Sequence, residues 1–366
     1  MSSTWGKNIK ISLFGESHGE AVGVVIDGLP AGVELDYDFI REEMKRRAPG
    51  RSSISTPRKE DDEVNIISGV FNGRTTGTPL CCVIKNKNKI SKDYEKIRYV
   101  LRPGHADYTG YIKHRGYNDY RGGGHFSGRL TAPLVFAGAV AKIILSKRNI
   151  FVGSHIKSIK NIQDLGFDFC NVDESTLIKL RQMEFPVLND CIEDEMKRVI
   201  KEAKEDGDSV GGVIEVAVIN VEEGLGSPFF DSIESRLSHL LFSIPAVKGV
   251  EFGEGFNITN MLGSDANDEF YIENGKIKTR TNYNGGILGG ISNGMPIIFR
   301  VAIKPTPSIL KRQKTVNISL MEEVELQVEG RHDACIVPRA VPVVEAVTSI
   351  GILDMMIERE GYSWIK

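Results

Sequence analysis

Four of the seven histidines lie in short segments that are rich in glycine and charged residues. These segments are FGESHG (14–19), RPGHAD (102–107), RGGGHFSGR (121–129) and GRHD (330–333). An imidazole gives or takes protons near neutral pH, and glycine lets the backbone approach a ligand closely. One such histidine alone is more often a hydrogen-bonded structural residue. Four of them together predict acid–base chemistry at His18, His105, His125 and His332.

Three of these histidines have a carboxylate close by in the sequence, which permits a second hypothesis. The pairs are His18 with Glu20, His105 with Asp107, and His332 with Asp333. Three such pairs could ligate a metal ion for phosphoester hydrolysis. Because no HExxH or comparable ligand spacing accompanies them, metal-dependent hydrolysis is the less favoured hypothesis.

Other segments could bind anions. The glycines at 122–124 precede an apolar helix, where they form either a backbone anion site or a tight turn without a ligand. They match neither the P-loop nor the dinucleotide-binding pattern. A basic stretch between residues 41 and 59 is either a solvated helix face or a set of arginine forks for phosphate and carboxylate. Segments 284–290 and 304–308 could cradle a planar or anionic ligand.

Composition restricts the class of protein. Of 366 residues, 26% are charged and 41% are hydrophobic, and the net charge is −3. A soluble globular protein is indicated, and a dedicated nucleic-acid binder, which is usually basic, is disfavoured. Five cysteines without CxxC spacing favour a reducing compartment. Residues 1–10 lack the apolar core of a signal peptide, and no apolar run approaches the ~20 residues of a membrane span. We therefore expect a cytoplasmic protein.

The hydrophobic pattern predicts the elements that must position these segments. Strands are predicted at 9–14, 22–26, 64–70, 79–84 and 211–223. Helices are predicted at 36–47, 129–146, 190–205, 231–242 and 342–358, with Ser127 as N-cap of the second and Pro342 as first residue of the last. Residues 155–190 have the weakest pattern and are predicted to be a peripheral excursion. Because no linker divides the chain, we expect one α+β unit over residues 1–366, with long helices against antiparallel sheets.

Taken together, these segments resemble the chorismate synthase family. The matching stretches are FGESHG (14–19), TPRKEDDEV (56–64), SGVFNGRTTGTPL (68–80), RPGHADYTG (102–110), GGG to Arg129, SIPAVKGVEFGEGF (243–256), NGGILGGISNG (284–294), KPTPS (304–308) and GRHDAC (330–335). They extend over almost the whole chain, and so many long matching segments argue against a chance resemblance.

The resemblance implies a fold, a reaction and a cofactor. Members of this family are carbon–oxygen lyases that convert 5-enolpyruvylshikimate 3-phosphate to chorismate and phosphate by anti 1,4-elimination. The reaction requires reduced FMN but has no net redox change. The family fold is a β-α-β sandwich with long central helices between antiparallel sheets, usually assembled as a homotetramer. Since no nucleotide-binding fingerprint is found, we expect a separate reductant to supply the reduced flavin.

The resemblance also implies roles for individual residues. His18 would protonate the departing phosphate, His105 would protonate the reduced flavin, and Asp333 would assist proton removal. The residues expected to bind the substrate are Arg47, Ser53, Arg58, Arg102, Arg129 and Arg339. The residues expected to bind the flavin are His125, Phe126, Ser127, Pro245, Ala246, Gly289, Lys304, Pro305, Thr306, Pro307, Ser308 and Arg331. No metal site is implied.

Two segments depart from the family pattern. The family usually has arginine and a small residue where this chain has His125 and Phe126, and alanine where it has Gly128. It also usually has arginine at the position of Ser53, whereas this chain has Arg51 nearby. A guanidinium stays charged at physiological pH, but an imidazole titrates near ~6.5. If His125 faces the ligand, anion affinity should fall between about pH 6 and 8; otherwise the ring packs against the following helix.

Overall fold

Two five-stranded antiparallel sheets enclose a layer of helices, and a computed structural model describes residues 3–50, 62–87, 94, 98–328 and 332–362. The first sheet contains β1 (Thr4–Trp5), β2 (Lys10–Gly15), β3 (Ala21–Asp27), β4 (Asn65–Ser68) and β5 (Leu80–Lys85). The second contains β6 (Phe151–Ile159), β7 (Ile162–Gln163), β8 (Gly212–Ile219), β9 (Val247–Phe252) and β10 (Ile297–Ile303). The strand orders are β1-β2-β3-β5-β4 and β9-β10-β8-β6-β7.

Helices and short elements complete the described chain. The helices are α1 (Tyr37–Arg47), α2 (Asp107–Lys113), α3 (Thr131–Ser146), α4 (Glu174–Gln182), α5 (Glu193–Glu205), α6 (Ile233–Leu241), the one-turn Gly263–Ala266, and α7 (Val337–Glu360). Short 3₁₀ segments cover Arg121–Phe126, Gly128–Leu130, Asp190–Ile192 and Gly255–Asn260. Two-stranded ladders pair Val70–Phe71 with Arg74–Thr75, Phe270–Glu273 with Lys276–Thr279, Ile287–Leu288 with Ile291–Ser292, and Gln313–Asn317 with Glu322–Leu326.

The helices α3 and α7 form the middle layer of the sandwich. α3 packs against the first sheet, α7 packs against the second, and the two helices pack against each other. They cross closely at Gly138, where an added Cβ would lie 2.2 Å from the Cβ of Ala346. One continuous hydrophobic core includes residues of both sheets and of both helices. The predicted α+β class and β-α-β sandwich are confirmed.

Local sequence signals account for the elements of the first sheet. Along β3, Val22, Val24 and Ile26 are buried at alternate positions, which is the period of a strand with one covered face. α1 begins after Asp36, whose carboxylate accepts a hydrogen bond of 2.9 Å from the backbone N–H of Phe39. The strands predicted at 9–14, 22–26 and 79–84 and the helix predicted at 36–47 are confirmed to within one residue at each end.

Two predicted helix starts differ from the structure. The helix predicted from residue 129 begins at Thr131 after a 3₁₀ turn, and Ser127 caps that turn by accepting from the Arg129 backbone N–H at 3.2 Å. The last helix begins at Val337, so that Pro342 lies inside it instead of at its start. A different proline, Pro338, lies in the first turn, where its missing backbone N–H costs no hydrogen bond, and it marks the start of this helix instead of Pro342.

Residues 155–190 do not form a peripheral excursion. β6 pairs with β8 along the second sheet, and α4 covers the outer face of that sheet. A second hydrophobic cluster joins Phe167, Leu177 and Leu180 to Ala217 and Ile298 in the sheet. Strands buried on both faces lose the alternating pattern that marks a half-exposed strand, and this explains the weak signal.

His155 links this segment to the second sheet, because its ring contacts carboxylates of both. Its buried ring lies between two carboxylates, with Nε2 3.0 Å from Glu215 Oε2 and Nδ1 3.2 Å from Asp164 Oδ2. Burial lowers the pKa of His155, but hydrogen bonds and charges from both carboxylates outweigh it, and the net pKa is raised. Because the pKa of His155 is higher in the folded than in the unfolded protein, protonation of the ring stabilises the fold. This stabilisation is complete below the pKa of the unfolded state, near ~6.5, and is lost as the pH rises through the pKa of the folded state.

We therefore expect the free energy of unfolding to fall as pH rises above about 6.5. The variant His155→Gln keeps a hydrogen-bonding side chain but cannot titrate, so its stability should be lower and less dependent on pH. Urea denaturation of both proteins between pH 6 and 9 measures this difference. Parallel curves would assign the pH dependence to other groups.

Two helical segments are long and apolar enough to cross a membrane, contrary to the expectation from the sequence. They are Gly128–Ser146 and Val337–Glu360. In their most apolar 18-residue windows, 78% and 100% of the residues are buried inside the protein. Their hydropathy is therefore accounted for by their position in the middle layer of the sandwich.

Candidate active site

A cavity of about 530 Å³ is bounded by loops and helix ends from distant parts of the chain. Its wall comes from the segment after β2, the end of α1, the glycine turn before α3, the loops after α6 and β10, and the start of α7. The three predicted catalytic residues, His18, His105 and Asp333, all lie on this wall. The fold thus brings together side chains that lie far apart in the sequence.

The cavity wall is positively charged. The six cationic residues that line it in the described part of the chain are Arg47, Arg98, Arg102, Arg129, Lys304 and Arg339. The three acidic ones are Asp107, Asp119 and Asp333. The difference, six minus three, leaves three positive charges on the wall, whereas the whole chain carries a net charge of −3. Such a wall attracts an anionic small molecule.

Arg47 and Arg129 share one buried carboxylate. Asp62, whose side chain is fully buried, accepts a hydrogen bond from each guanidinium. Arg47 is further held because its Nε donates to Thr131 Oγ1 at 3.1 Å. Burial lowers the pKa of Arg47 to about 10; Asp62 opposes this shift, while Arg339 and Arg129 add to it. Among the described residues, the two guanidinium groups share this carboxylate, and a pair of arginine forks at a cavity wall suits a phosphate or carboxylate of a ligand.

Asp333 is joined to the same region through Arg339. Arg339 Nη1 donates to the Asp333 carboxylate, and Arg339 Nε donates to the backbone carbonyl of Arg47 at 3.1 Å. The side chain of Asp333 is only 9% exposed. A carboxylate held in this way at a cavity wall has a defined orientation, which a proton acceptor requires.

His18 is packed against the glycine turn. Its Nδ1 lies 3.3 Å from Ser17 Oγ, and its ring meets the ring of Tyr94 edge-on with the centroids 5.0 Å apart. At Gly122, which has φ +61°, an added Cβ would lie 2.0 Å from Cε1 of His18. The residue at 122 must therefore be glycine for His18 to keep its position. The triple glycine makes a turn beside His18, and the α-helix starts several residues later, at Thr131.

His105 is hydrogen-bonded at both ring nitrogens. Nδ1 lies 3.1 Å from the Pro103 carbonyl oxygen and Nε2 lies 2.8 Å from Ser308 Oγ. Because a carbonyl can only accept, Nδ1 carries the hydrogen, and Nε2 of the neutral ring accepts from Ser308. Burial lowers the pKa of His105 to about 4, and the charge of Arg102 acts in the same direction. The ligand-free protein thus holds a neutral imidazole against the loop at residues 304–308.

Most of the predicted flavin contacts line the same cavity. They are Phe126, Ser127, Pro245, Ala246, Lys304, Thr306, Pro307 and Ser308. Lys304 Nζ donates to the Gly104 carbonyl at 2.7 Å, which ties the loop at 304–308 to the RPGHAD segment. On this wall, Thr306 Oγ1 and His332 Nδ1 are buried without a hydrogen-bond partner among the described residues. A bound molecule with polar ring atoms would satisfy them.

Three predicted flavin contacts do not lie on the cavity wall. His125 Nδ1 donates to the Gly15 carbonyl at 2.9 Å, and Nε2 lies 2.9 Å from Ser3 Oγ, so both ring nitrogens are used within the protein. The expectation that His125 binds an anion therefore loses its basis. Gly289 lies in the turn between Ile287–Leu288 and Ile291–Ser292, and Pro305 does not reach the wall. The remaining predicted residues, Ser53, Arg58 and Arg331, lie outside the described residues.

The His–acid pairs do not converge on one point. Asp107 is bound by Arg102, with Nε 2.8 Å from Oδ2 and Nη2 2.7 Å from Oδ1. Asp333 is bound by Arg339. Because arginine partners already engage these carboxylates, the geometry does not favour the hypothesis of a shared metal-binding site.

Sequence reasoning missed several residues of the site, and four of them are charged or contact His18: Asp62, Tyr94, Arg98 and Asp119. The guanidinium of Arg98 lies 5.1 Å and 5.2 Å from the ring centroids of Tyr99 and Tyr120. The acidic residues at positions 60–63, which follow a basic stretch, could have indicated Asp62. The other three belong to no recognised motif, and the fold brings them to the cavity wall.

The fold and the site together are those of an enzyme with buried side chains suited to acid–base chemistry. Its cationic cavity wall suits a small polyanion as the substrate. Residues 9–357 match the family described as chorismate synthase. The chain is 48% identical over 357 residues to a chorismate synthase of Dehalococcoides mccartyi, covering 98% of this chain and 97% of that one. It is 48% identical over 363 residues to that of Thermococcus gammatolerans, covering 98% and 99%. A crystal structure of chorismate synthase matches with a TM-score of 0.76 at 32% identity, covering 98% of this chain and 94% of that chain.

The chain belongs to the chorismate synthase family. It is a lyase that forms chorismate and phosphate from 5-enolpyruvylshikimate 3-phosphate, the final step of the shikimate pathway. The family is one that needs reduced flavin. The resemblance predicted from the sequence is therefore confirmed.

Proposed function

We propose that the cavity binds reduced FMN together with 5-enolpyruvylshikimate 3-phosphate. The observation that carries this proposal is the presence of His18, His105 and Asp333 on one wall with four of the predicted arginines. When bound, reduced flavin would supply the reduced cofactor that the elimination requires. The reaction has no net redox change, so the flavin is not consumed. The cavity fits such a group because it is large and because its wall has two buried polar atoms that lack partners among the described residues.

The substrate carries a phosphate and two carboxylates, so several cationic contacts are needed. Arg47, Arg129 and Arg339 would form one anion subsite around Asp62, and Arg102 would lie towards the flavin loop. Arginine forks suit both phosphate and carboxylate groups because each guanidinium presents two parallel donors. Ser53 and Arg58 remain proposed contacts of the same subsite.

The residue roles follow from a 1,4-elimination, in which a C–O bond to phosphate breaks and a proton leaves carbon. His18 would hold a proton for the departing phosphate. Asp333, oriented by Arg339, would assist removal of the carbon-bound proton. His105 is neutral in the ligand-free protein, and a nearby anionic ligand would raise its pKa and allow it to hold a proton at the flavin.

The flavin would be held mainly by the turn before α3 and by the loops after α6 and β10. Phe126, Ser127 and Ala246 lie on one part of the wall, and the loop from Lys304 to Ser308 on another. Arg331 is a further proposed contact. We also propose a single domain over residues 1–366, a homotetramer and a cytoplasmic location.

The chain is expected to depend on an external source of reduced flavin. Under anaerobic conditions, FMN with dithionite should support chorismate formation by the pure protein. FMN with NADPH should not, because the sequence has no nucleotide-binding fingerprint. Chorismate is measured by its absorbance or by liquid chromatography.

Adding a flavin reductase to the NADPH reaction is the control and should restore turnover. Robust NADPH-driven turnover without the reductase would show that this chain reduces flavin itself. Turnover with no flavin at all would overturn the proposed cofactor.

A further inference from the structure

Arg98 is a cation of the cavity wall that the roles above do not use. The other cationic residues described on this wall donate hydrogen bonds to acceptors of the protein: Arg47, Arg102, Arg129 and Arg339 to carboxylates, and Lys304 to the Gly104 carbonyl. Arg98 has no such acceptor in the described part of the chain, where its contacts are with aromatic rings. Its positive charge is therefore available to a ligand.

Two tyrosine rings hold the guanidinium of Arg98 in place. It lies 5.1 Å from the ring centroid of Tyr99 and 5.2 Å from that of Tyr120. Such cation–π contacts attract the guanidinium, but they provide no oxygen or nitrogen acceptor for its N–H donors. Because the long side chain is already restricted, it loses less conformational entropy when it binds an anion.

Arg98 differs from the other arginines of the wall in its exposure. The side chains of Arg47, Arg102 and Arg129 are 5%, 6% and 6% exposed, whereas Arg98 and Tyr99 are exposed residues. Arg98 therefore lies where the cavity opens to solvent. An exposed charge at an entrance acts mainly on the encounter with an oppositely charged ligand, because water screens its contribution to the final complex.

Tyr120 places Arg98 beside the proposed reaction centre. This tyrosine directly precedes the glycine turn Arg121–Phe126, in which Gly122 packs against His18. An anion that contacts Arg98 is therefore next to the turn that positions the group proposed to protonate the departing phosphate.

We propose that Arg98 is a capture residue at the entrance of the cavity. It binds a phosphate or carboxylate of 5-enolpyruvylshikimate 3-phosphate before the substrate reaches the buried arginines around Asp62. This inference rests on the proposed function, because it requires that the substrate binds in this cavity. FMN also carries a phosphate, but the substrate carries a phosphate and two carboxylates, so a single cation attracts it more strongly. Arg98 takes no part in proton transfer.

The test is the dependence of turnover on ionic strength in Arg98→Gln, assayed anaerobically with dithionite-reduced FMN. At about 0.01 M ionic strength, kcat/KM for the substrate should fall roughly two- to fivefold, the range for losing an exposed ion pair. The kcat should not change, since the buried groups proposed to act in the elimination are untouched. At about 1 M, where the screening length is only ~3 Å, the variant and the unmodified protein should converge.

Two further variants make the result specific. Arg98→Lys keeps the charge and should retain most of the dependence on ionic strength. Arg198→Gln is the matched control, because it removes the same charge from α5, where the side chain is 58% exposed and does not line the cavity. Its kcat/KM should equal that of the unmodified protein.

Three results would overturn the inference. The first is an unchanged dependence of kcat/KM on ionic strength in Arg98→Gln. The second is an equal loss in Arg98→Gln and Arg198→Gln, which would reflect net charge alone. The third is weaker FMN binding with an unchanged kcat/KM at saturating FMN, which would place Arg98 at the phosphate of the flavin.

The proposed substrate site is tested separately by Arg129→Lys, which keeps the charge but loses the fork that faces Asp62. The KM for the substrate should rise in this variant. If neither Arg129→Lys nor Arg98→Gln changes KM, the substrate does not bind in this cavity and the proposed function fails. If only Arg98→Gln leaves KM unchanged, the proposed site stands and the capture role fails.

Discussion

Replacing His18 with Asn should lower kcat by about 10²–10⁴, the usual loss when a general acid or base is removed. His18 lies on the cavity wall, is only 7% exposed, and is held between Ser17, the backbone of Gly122 and the ring of Tyr94. Asparagine can still reach Ser17, so the loop should keep its conformation while the titratable group is lost. The affinity for FMN should change little.

The measurement is anaerobic chorismate formation with dithionite-reduced FMN, alongside a flavin titration. His239→Asn is the matched control, because His239 is exposed on α6 and does not line the cavity. It should keep wild-type kcat. A His18→Asn protein that turns over at the wild-type rate would remove His18 from proton transfer.

Replacing Asp62 with Asn should destabilise the ligand-free protein by about 3–5 kcal/mol, the range for removing one partner of a buried ion pair. The Asp62 side chain is fully buried, and it lies between two guanidinium groups that are themselves 5% and 6% exposed. Without the carboxylate, Arg47 and Arg129 repel each other in a poorly solvated region. Burial already lowers the pKa of Arg47 to about 10, which shows how strongly that site disfavours another positive charge.

An anion in the cavity should partly replace the lost carboxylate. Inorganic phosphate should therefore raise the urea midpoint of Asp62→Asn by more than it raises that of the unmodified protein. Asp354→Asn provides the control, because Asp354 is also buried and paired with an arginine, Arg236, but is absent from the cavity wall. It should be destabilised without the phosphate effect. An equal phosphate effect in all three proteins would show that the arginine pair is not an anion subsite.

Much of the fold could be predicted because its signals are local. The alternating burial of β3 and the Asp36 cap of α1 depend on residues within a few positions of each other. The start of α7 was misplaced because two prolines lie four residues apart, and Pro338 in the first turn, not Pro342, marks the start of the helix. The strand that contains His155 was missed because it is covered on both faces and lacks the alternating pattern of a half-exposed strand.

The family, the reaction and the residue types of the site could be predicted from the sequence, because matching segments run along nearly the whole chain. Which of those side chains line the cavity depends on how distant segments pack. His125 and His332 both follow glycine-containing segments, yet His125 is hydrogen-bonded to Gly15 and does not line the cavity, whereas His332 lies on the cavity wall. The physical reason is that the direction and partners of a side chain depend on backbone contacts between distant segments. The same holds for Asp62, which became the centre of the arginine subsite only when α1 and the turn before α3 were packed together.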